Sequence, residues 1–221
     1  MLSKPKIIEK WQKRNRFGRP GTTLITKKIA IHYTGQADVE SWRTVSYFNN
    51  VVANGYKVNG KYVYASSHYV IDLDGTIFQL IPTSEQCYAT NSANKYAIAI
   101  EVATTGEDNH YTDETYKSMV HLCAWLCQYK GLDCKTDIIT HTDVVGKAYK
   151  LCPIYMVKNP HKMTQFKTDC HNLKSGKITL DNIINCTSPD YIKNSSTSPL
   201  PKMIKVKKDV NYRKHPNFKT S

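Results

Sequence analysis

The sequence predicts an α/β fold in which a mixed central β-sheet is flanked by helices. Three observations carry that reading. Short β-rich runs are interspersed with helical periodicities along the whole chain instead of being segregated from them. One run, residues 96–102, is almost wholly apolar, as a strand covered on both faces has to be. Asp74-Gly75 stands between two further β-rich runs, a strong short-range hairpin signal, so the sheet holds an antiparallel pair among its neighbours.

In chain order, residues 27–33 alternate apolar and non-apolar and run into Thr34-Gly35, a strand followed by a turn, with His32 near the strand's C-terminal end. Residues 38–54 space Val39, Trp42, Val45, Tyr47, Phe48, Val51 and Val52 as a helix, which Asn54-Gly55 closes. A Tyr- and Gly-rich loop follows over 55–66, and the hairpin of 67–81 stops at Pro82. In the strand at 96–102, Glu101 intrudes a carboxylate where a buried strand favours none. Thr112 is an N-cap with Asp113 and Glu114 in the first turn of a helix that reaches Lys130, with Gly131 as its C-cap. Residues 137–140 form a short strand that delivers His141, a loop with Gly146 and Pro153 follows, and a last helix covers 160–173.

From Lys174 the apolar periodicity fades and Ser, Thr, Asn and Pro accumulate. The chain therefore divides into a main domain over 1–175, a linker over 176–202, and a β pattern over 203–221 that reads as the start of a further, cut-off domain. No apolar run approaches the ~18 residues of a membrane span, and the opening residues lack the apolar stretch of a secretory signal. A soluble product made in the cytoplasm, and a monomer, is expected.

The net charge of +13 is concentrated at the ends: residues 1–20 and 202–221 each hold seven basic and one acidic residue, leaving a near-neutral body. Such ends suit a polyanionic surface, and nucleic acid or a phosphate-rich wall polymer both qualify. The near-neutral body argues against nucleic acid, which wants basic and aromatic residues interleaved across one face. Seven cysteines without a signal peptide do not read as a disulfide framework. Cys123 and Cys127 share a helical face with Tyr116, Met119 and Val120 and read as core, while Cys87, Cys134, Cys170 and Cys186 show no recognisable spacing.

Cys152 is different. His32, His141 and Cys152 fall at strand and loop ends, and two imidazoles with one thiolate on a tetrahedral zinc leave one position open, the pattern of a catalytic site. Glu101, at the end of a neighbouring apolar strand, is placed to take a proton as general base. Lys150, two residues before Cys152, is placed to stabilise an oxyanion, with Lys147 as its rival.

Four segments together, IAIHYTG (29–35), SSHYVIDLDGTIFQLIP (66–82), YAIAIEVATTG (96–106) and HTDVVGKAYKLCP (141–153), resemble the zinc-dependent type-2 N-acetylmuramoyl-L-alanine amidases of phage endolysins and bacterial autolysins, which share a fold with peptidoglycan-recognition proteins. The resemblance spans about residues 25–170, and its strength lies in the order and spacing of the four motifs. It implies Zn2+ on His32, His141 and Cys152, catalysis by Glu101 and Lys150, and a substrate-side or supporting role for His68 and Ser67. Ser67 stands where some members carry a tyrosine, and residues 86–90 lack the Trp-His pair that lines the groove in others. The implied activity is hydrolysis of the amide between N-acetylmuramic acid and the L-alanine of the stem peptide, leading to lysis of the bacterial wall. A non-catalytic peptidoglycan-binding module of the same fold is the alternative. The expected partner is peptidoglycan, joined by anionic wall polymers through the basic ends. Residues 205–216 resemble the opening of a bacterial Src-homology-3-like wall-binding domain.

Overall fold

The structure, a computed structural model, describes residues 1–183. The segment at 203–221, expected to open a wall-binding domain, and most of the expected linker lie outside the described residues. Strands β1 (Ile7–Glu9), β2 (Lys28–Ala37), β5 (Tyr69–Ile71), β6 (Ile77–Gln79), β7 (Ala97–Thr104) and β8 (Ile138–Thr140) form one sheet in the order β1-β6-β5-β7-β2-β8. Within this sheet, among the described residues, only the β5–β6 pair, joined through Asp74-Gly75, is antiparallel.

Alternation along the central strands decides what each face carries. Ile29 and Ile31 of β2 and Ile98, Ile100 and Val102 of β7 pack under helices α2 (Asp113–Lys130) and α5 (Pro160–Lys174), together with Met119, Leu122, Cys123, Leu126, Cys127, Phe166 and Cys170. The intervening residues point to the opposite face, where Ala30 and Ala97 pack with Ala93, and Ala99 packs with Val45, Phe48, Val52 and Val70. The small alanines leave room on that face for His32 and Glu101. Helix α2 forms as its caps dictate: the Thr112 side chain accepts from the Thr115 N–H, and Gly131 takes a left-handed φ of 68°.

Several elements differ from the sequence expectation, each for a local reason. The turn expected at Thr34-Gly35 is a bulge inside β2, which runs on to Ala37 while Gly35, at φ 81°, absorbs the shift in register. The first helix begins at Trp42 as α1 (Trp42–Ser46) and continues through a π turn (Tyr47–Val51) and a 3-10 turn (Val52–Asn54). It starts late because Ser41 is tied to the sheet, its N–H donating to Asp72 Oδ1 at 2.8 Å and its hydroxyl to the Ile71 carbonyl at 3.0 Å. The loop expected over 55–66 contains a hairpin, β3 (Lys57–Val58) and β4 (Lys61–Tyr62), turned by Asn59-Gly60 with positive φ at both residues. Short helices α3 (His141–Val145) and α4 (Ile154–Lys158) flank the expected loop at 146–153.

The basic N-terminal segment is built into the sheet: β1 pairs with β6, and the Gln12 N–H donates to the Leu80 carbonyl at 2.9 Å. Arg19 fastens it by a bidentate pair to Glu85, both bonds 2.8 Å. The guanidinium holds the Glu85 carboxyl below its ordinary range. Arg14, 3.5 Å from the same carboxylate, remains as a more exposed partner when Arg19 is removed, so Arg19→Ala should cost about 1 kcal/mol in urea unfolding. Because the folded-state pKa of Glu85 is depressed, its contribution should be complete above about pH 5 and fade as pH falls through that depressed value.

Candidate metal centre

Strands β2, β7 and β8 run parallel, so their C-terminal ends lie together, where open α/β sheets bind ligands. His32 is the register partner of Glu101, which puts the two side chains on the same face. Thr140 pairs within β8 and caps α3, its hydroxyl accepting from the Asp143 N–H at 3.0 Å while Asp143 Oδ2 accepts from the Thr140 N–H at 2.8 Å. This capping box fixes His141 as the first residue of the helix.

The next residue builds the third corner. The Thr142 hydroxyl accepts from the Cys152 N–H at 2.7 Å and donates to the Lys150 carbonyl at 2.8 Å, while the Thr142 N–H donates to the Cys152 carbonyl at 3.0 Å. The Cys152 loop is thereby clamped against the start of α3.

The donor atoms of His32, His141 and Cys152 lie within 4.8 Å of one another, and all three residues are buried. Cys152 Sγ is 3.7 Å from His32 Nδ1, and the two imidazole centroids are 4.7 Å apart. Each ring is held by its other nitrogen: His32 Nε2 meets Thr90 Oγ1 at 2.9 Å, and His141 Nε2 donates to Asn91 Oδ1 at 2.7 Å. That donation leaves His141 Nδ1 as a lone-pair donor, buried and without a hydrogen-bond partner. An orphaned nitrogen beside a thiol and a second imidazole is what a site that could hold a metal ion requires.

Burial dominates the electrostatics. It pushes His32 well below its ordinary pKa and His141 down to about 4, with Lys150 adding to both, so the imidazoles are neutral as metal ligation needs. Burial raises the Cys152 thiol to about 12, opposed by Lys150, and the Tyr33 N–H is directed at the sulfur. Glu101 is pushed up to about 7 by burial, with Lys150 again opposing. Lys150 thus acts electrostatically on all four groups. Lys147 is exposed and contributes to none of these shifts.

The other two candidates turn inward. His68 Nε2 donates to the Glu85 carbonyl at 2.8 Å, and its Nδ1 accepts from the Ala99 N–H at 3.0 Å, with Cys87 Sγ also 3.2 Å away. The Ser67 hydroxyl donates to the Tyr69 carbonyl at 2.8 Å. Both residues are fully buried, His68 joining β7 to the loop after β6. The sequence reading missed Thr90, Asn91 and Thr142, for which only the left-handed φ that an Asn tolerates at position 91 offers a local signal.

The chain belongs to the N-acetylmuramoyl-L-alanine amidase family (Amidase_2), whose sequence model matches residues 22–154. It is 28% identical over 184 residues to the N-acetylmuramoyl-L-alanine amidase BlyA of Bacillus subtilis (strain 168), covering 74% of this chain and 46% of that protein. The chain therefore spans about half the length of that curated relative. In fold it is similar to the catalytic domain of XlyA (TM-score 0.60, 18% identity, 75% of this chain and 99% of that one). It is similar also to the PlyG catalytic domain (TM-score 0.60, 21% identity, 84% and 99%). A third likeness is to the Staphylococcus aureus hydrolase AmiA, whose structure holds its ligand (TM-score 0.59, 20% identity, 80% and 89%).

Because Asn91 and Thr90 orient the rings without supplying a donor, Asn91→Ala and Thr90→Val should each weaken retention of a divalent ion about 10- to 100-fold in chelator competition, with an unchanged far-UV spectrum.

Proposed function

We propose that the chain is a zinc-dependent N-acetylmuramoyl-L-alanine amidase that hydrolyses the amide joining the lactyl group of N-acetylmuramic acid to the L-alanine of the stem peptide. The observation that carries this reading is the convergence of His32, His141 and Cys152 with Glu101 and Lys150 at the C-terminal ends of adjacent strands. The donor set fits zinc: ligands at 2.0–2.1 Å and 2.3 Å on a tetrahedral ion stand about 3.6 Å apart, against 3.7 Å between His32 Nδ1 and Cys152 Sγ.

When bound, zinc would supply a Lewis acid for the scissile carbonyl and lower the pKa of a water far below its bulk value, towards about 7. Glu101 supplies a base whose pKa, about 7, is matched to neutral operation. Its carboxylate takes the proton of the attacking water and returns it to the departing alanine nitrogen. Lys150 holds a positive charge at the same desolvated site and stabilises the developing oxyanion. The backbone clamp on Thr142 fixes Lys150 together with Cys152, so ligand and cation move as one unit. Retention of the Cys152 thiol is what an enzyme needs and a purely binding module does not.

Incubating the chain with purified walls should release new N-terminal alanine and no new reducing sugar; the opposite yield, or neither, overturns the reading. Metal analysis should find one zinc per chain, lost in Cys152→Ser. Glu101→Gln should fold, keep its zinc and lose at least about 100-fold in turnover. Lys150→Ala should lower kcat roughly 10²- to 10³-fold with little change in KM, and Lys147→Ala should leave it near wild type.

A further inference from the structure

Outside the metal centre, a second concentration of chemistry sits on the β3–β4 hairpin. A two-stranded ribbon outside the main sheet gains little stability of its own. All four of its strand residues are exposed, and so are Tyr56, 39% exposed, and Tyr64, 53% exposed. Aromatic rings left in water on a ribbon that adds nothing to the core mark an interaction surface.

The rings are organised. Phe17 of the N-terminal segment packs 4.8 Å from the Tyr62 ring and 5.7 Å from the Tyr64 ring. It lies so close to Gly55 that a Cβ there would stand 3.0 Å from it. The Arg16 guanidinium lies 4.7 Å from the Phe17 ring and 5.2 Å from the Tyr62 ring, and Lys57 Nζ is 4.5 Å from the Tyr62 ring. Tyr62 therefore holds two cations in place, reducing the ordering they must undergo on binding a ligand. Tyr64 meets Tyr88 edge-on at 5.8 Å. Tyr88 is two residues before Thr90, which holds the His32 ring. A run of aromatic rings with ordered cations thus leads from the hairpin to the loop that supports the metal centre.

We propose that this platform binds the glycan strand of peptidoglycan, with Tyr64 stacked against a pyranose ring and Arg16 and Lys57 pairing with stem-peptide carboxylates. The choice of polymer rests on the amidase reading and deepens it by giving a long substrate a contact beyond the scissile bond. The C–H face of a pyranose carries partial positive charge and lies flat on the negative face of a ring, as a cation does. A polyol-phosphate chain would satisfy the cations but offers no flat apolar face for Tyr64. Single-stranded nucleic acid would use rings and cations alike, but continuity with a hydrolase centre favours the glycan.

The test is co-sedimentation of the full chain with sacculi stripped of covalently attached phosphate polymers. The expected result is retention of the wild type, about tenfold weaker binding for Tyr64→Ala, recovery with Tyr64→Phe, and loss for the Arg16→Gln/Lys57→Gln pair that grows as stem carboxylates are kept unamidated. Trp125→Ala/Tyr129→Ala serves as the control. That pair on α2 is stacked at 5.3 Å with Lys4 and Lys130 beside it, aromatic rings and cations of a different kind in another place, and should bind as wild type. Wild-type affinity in Tyr64→Ala, equal losses at both aromatic pairs, wild-type binding that vanishes with the phosphate polymers, or preference for single-stranded DNA over sacculi would each overturn the proposal. Release of N-terminal alanine from the same sacculi is scored separately. Its absence with Tyr64-dependent retention would sink the amidase and leave the platform standing, and its presence with Tyr64-independent retention would do the reverse.

Discussion

Because β2 pairs in parallel with β7 on one side and β8 on the other, His32 lies opposite Glu101, and Ile31 lies opposite Thr140, one residue before His141. The whole candidate site depends on that register. A slip of β2 by one residue would turn His32 into the apolar face beneath α2 and bring Ile31 out beside Glu101 in its place. The large apolar side chains on the α2 face make such a slip costly. Packing on one side of the sheet thus fixes chemistry on the other.

The same burial that secures the register sets the protonation states. Desolvation is the largest influence on His32, His141, Cys152 and Glu101, and it keeps the imidazoles neutral and lifts the carboxyl toward neutral pH. Lys150 is the local counterweight, opposing burial at Glu101 and Cys152 and reinforcing it at the histidines. One cation therefore acts on four groups, and the Thr142 hydroxyl that accepts from the Cys152 N–H also donates to the Lys150 backbone carbonyl.

Much of this was legible in the sequence, because strand ends announce themselves: an apolar run carrying a single Glu, and a His closing each of two short β-rich runs, leave few places for those side chains to go. The helix from Asp113 to Lys130 was legible from its caps. What escaped was whatever depends on contacts between distant segments. Thr90 and Asn91 reach the histidine rings across 58 and 50 residues of chain, and no periodicity encodes that. The bulge at Gly35 read as a turn because a glycine with positive φ serves both purposes. The β3–β4 hairpin carried its own Asn59-Gly60 signal, obscured by the Tyr- and Gly-rich composition around it. Ser67 and His68, for which the motifs left a substrate-side or a buried supporting role open, hydrogen-bond to backbone partners in the interior.

The account stands or falls on the donor set that the strand ends bring together. X-ray absorption at the zinc edge of the loaded protein reads that set directly. One sulfur at about 2.3 Å with two imidazole nitrogens at about 2.0–2.1 Å and one further light atom is the expected result. A shell without sulfur, or one with two or more sulfurs, would place the metal elsewhere and contradict it.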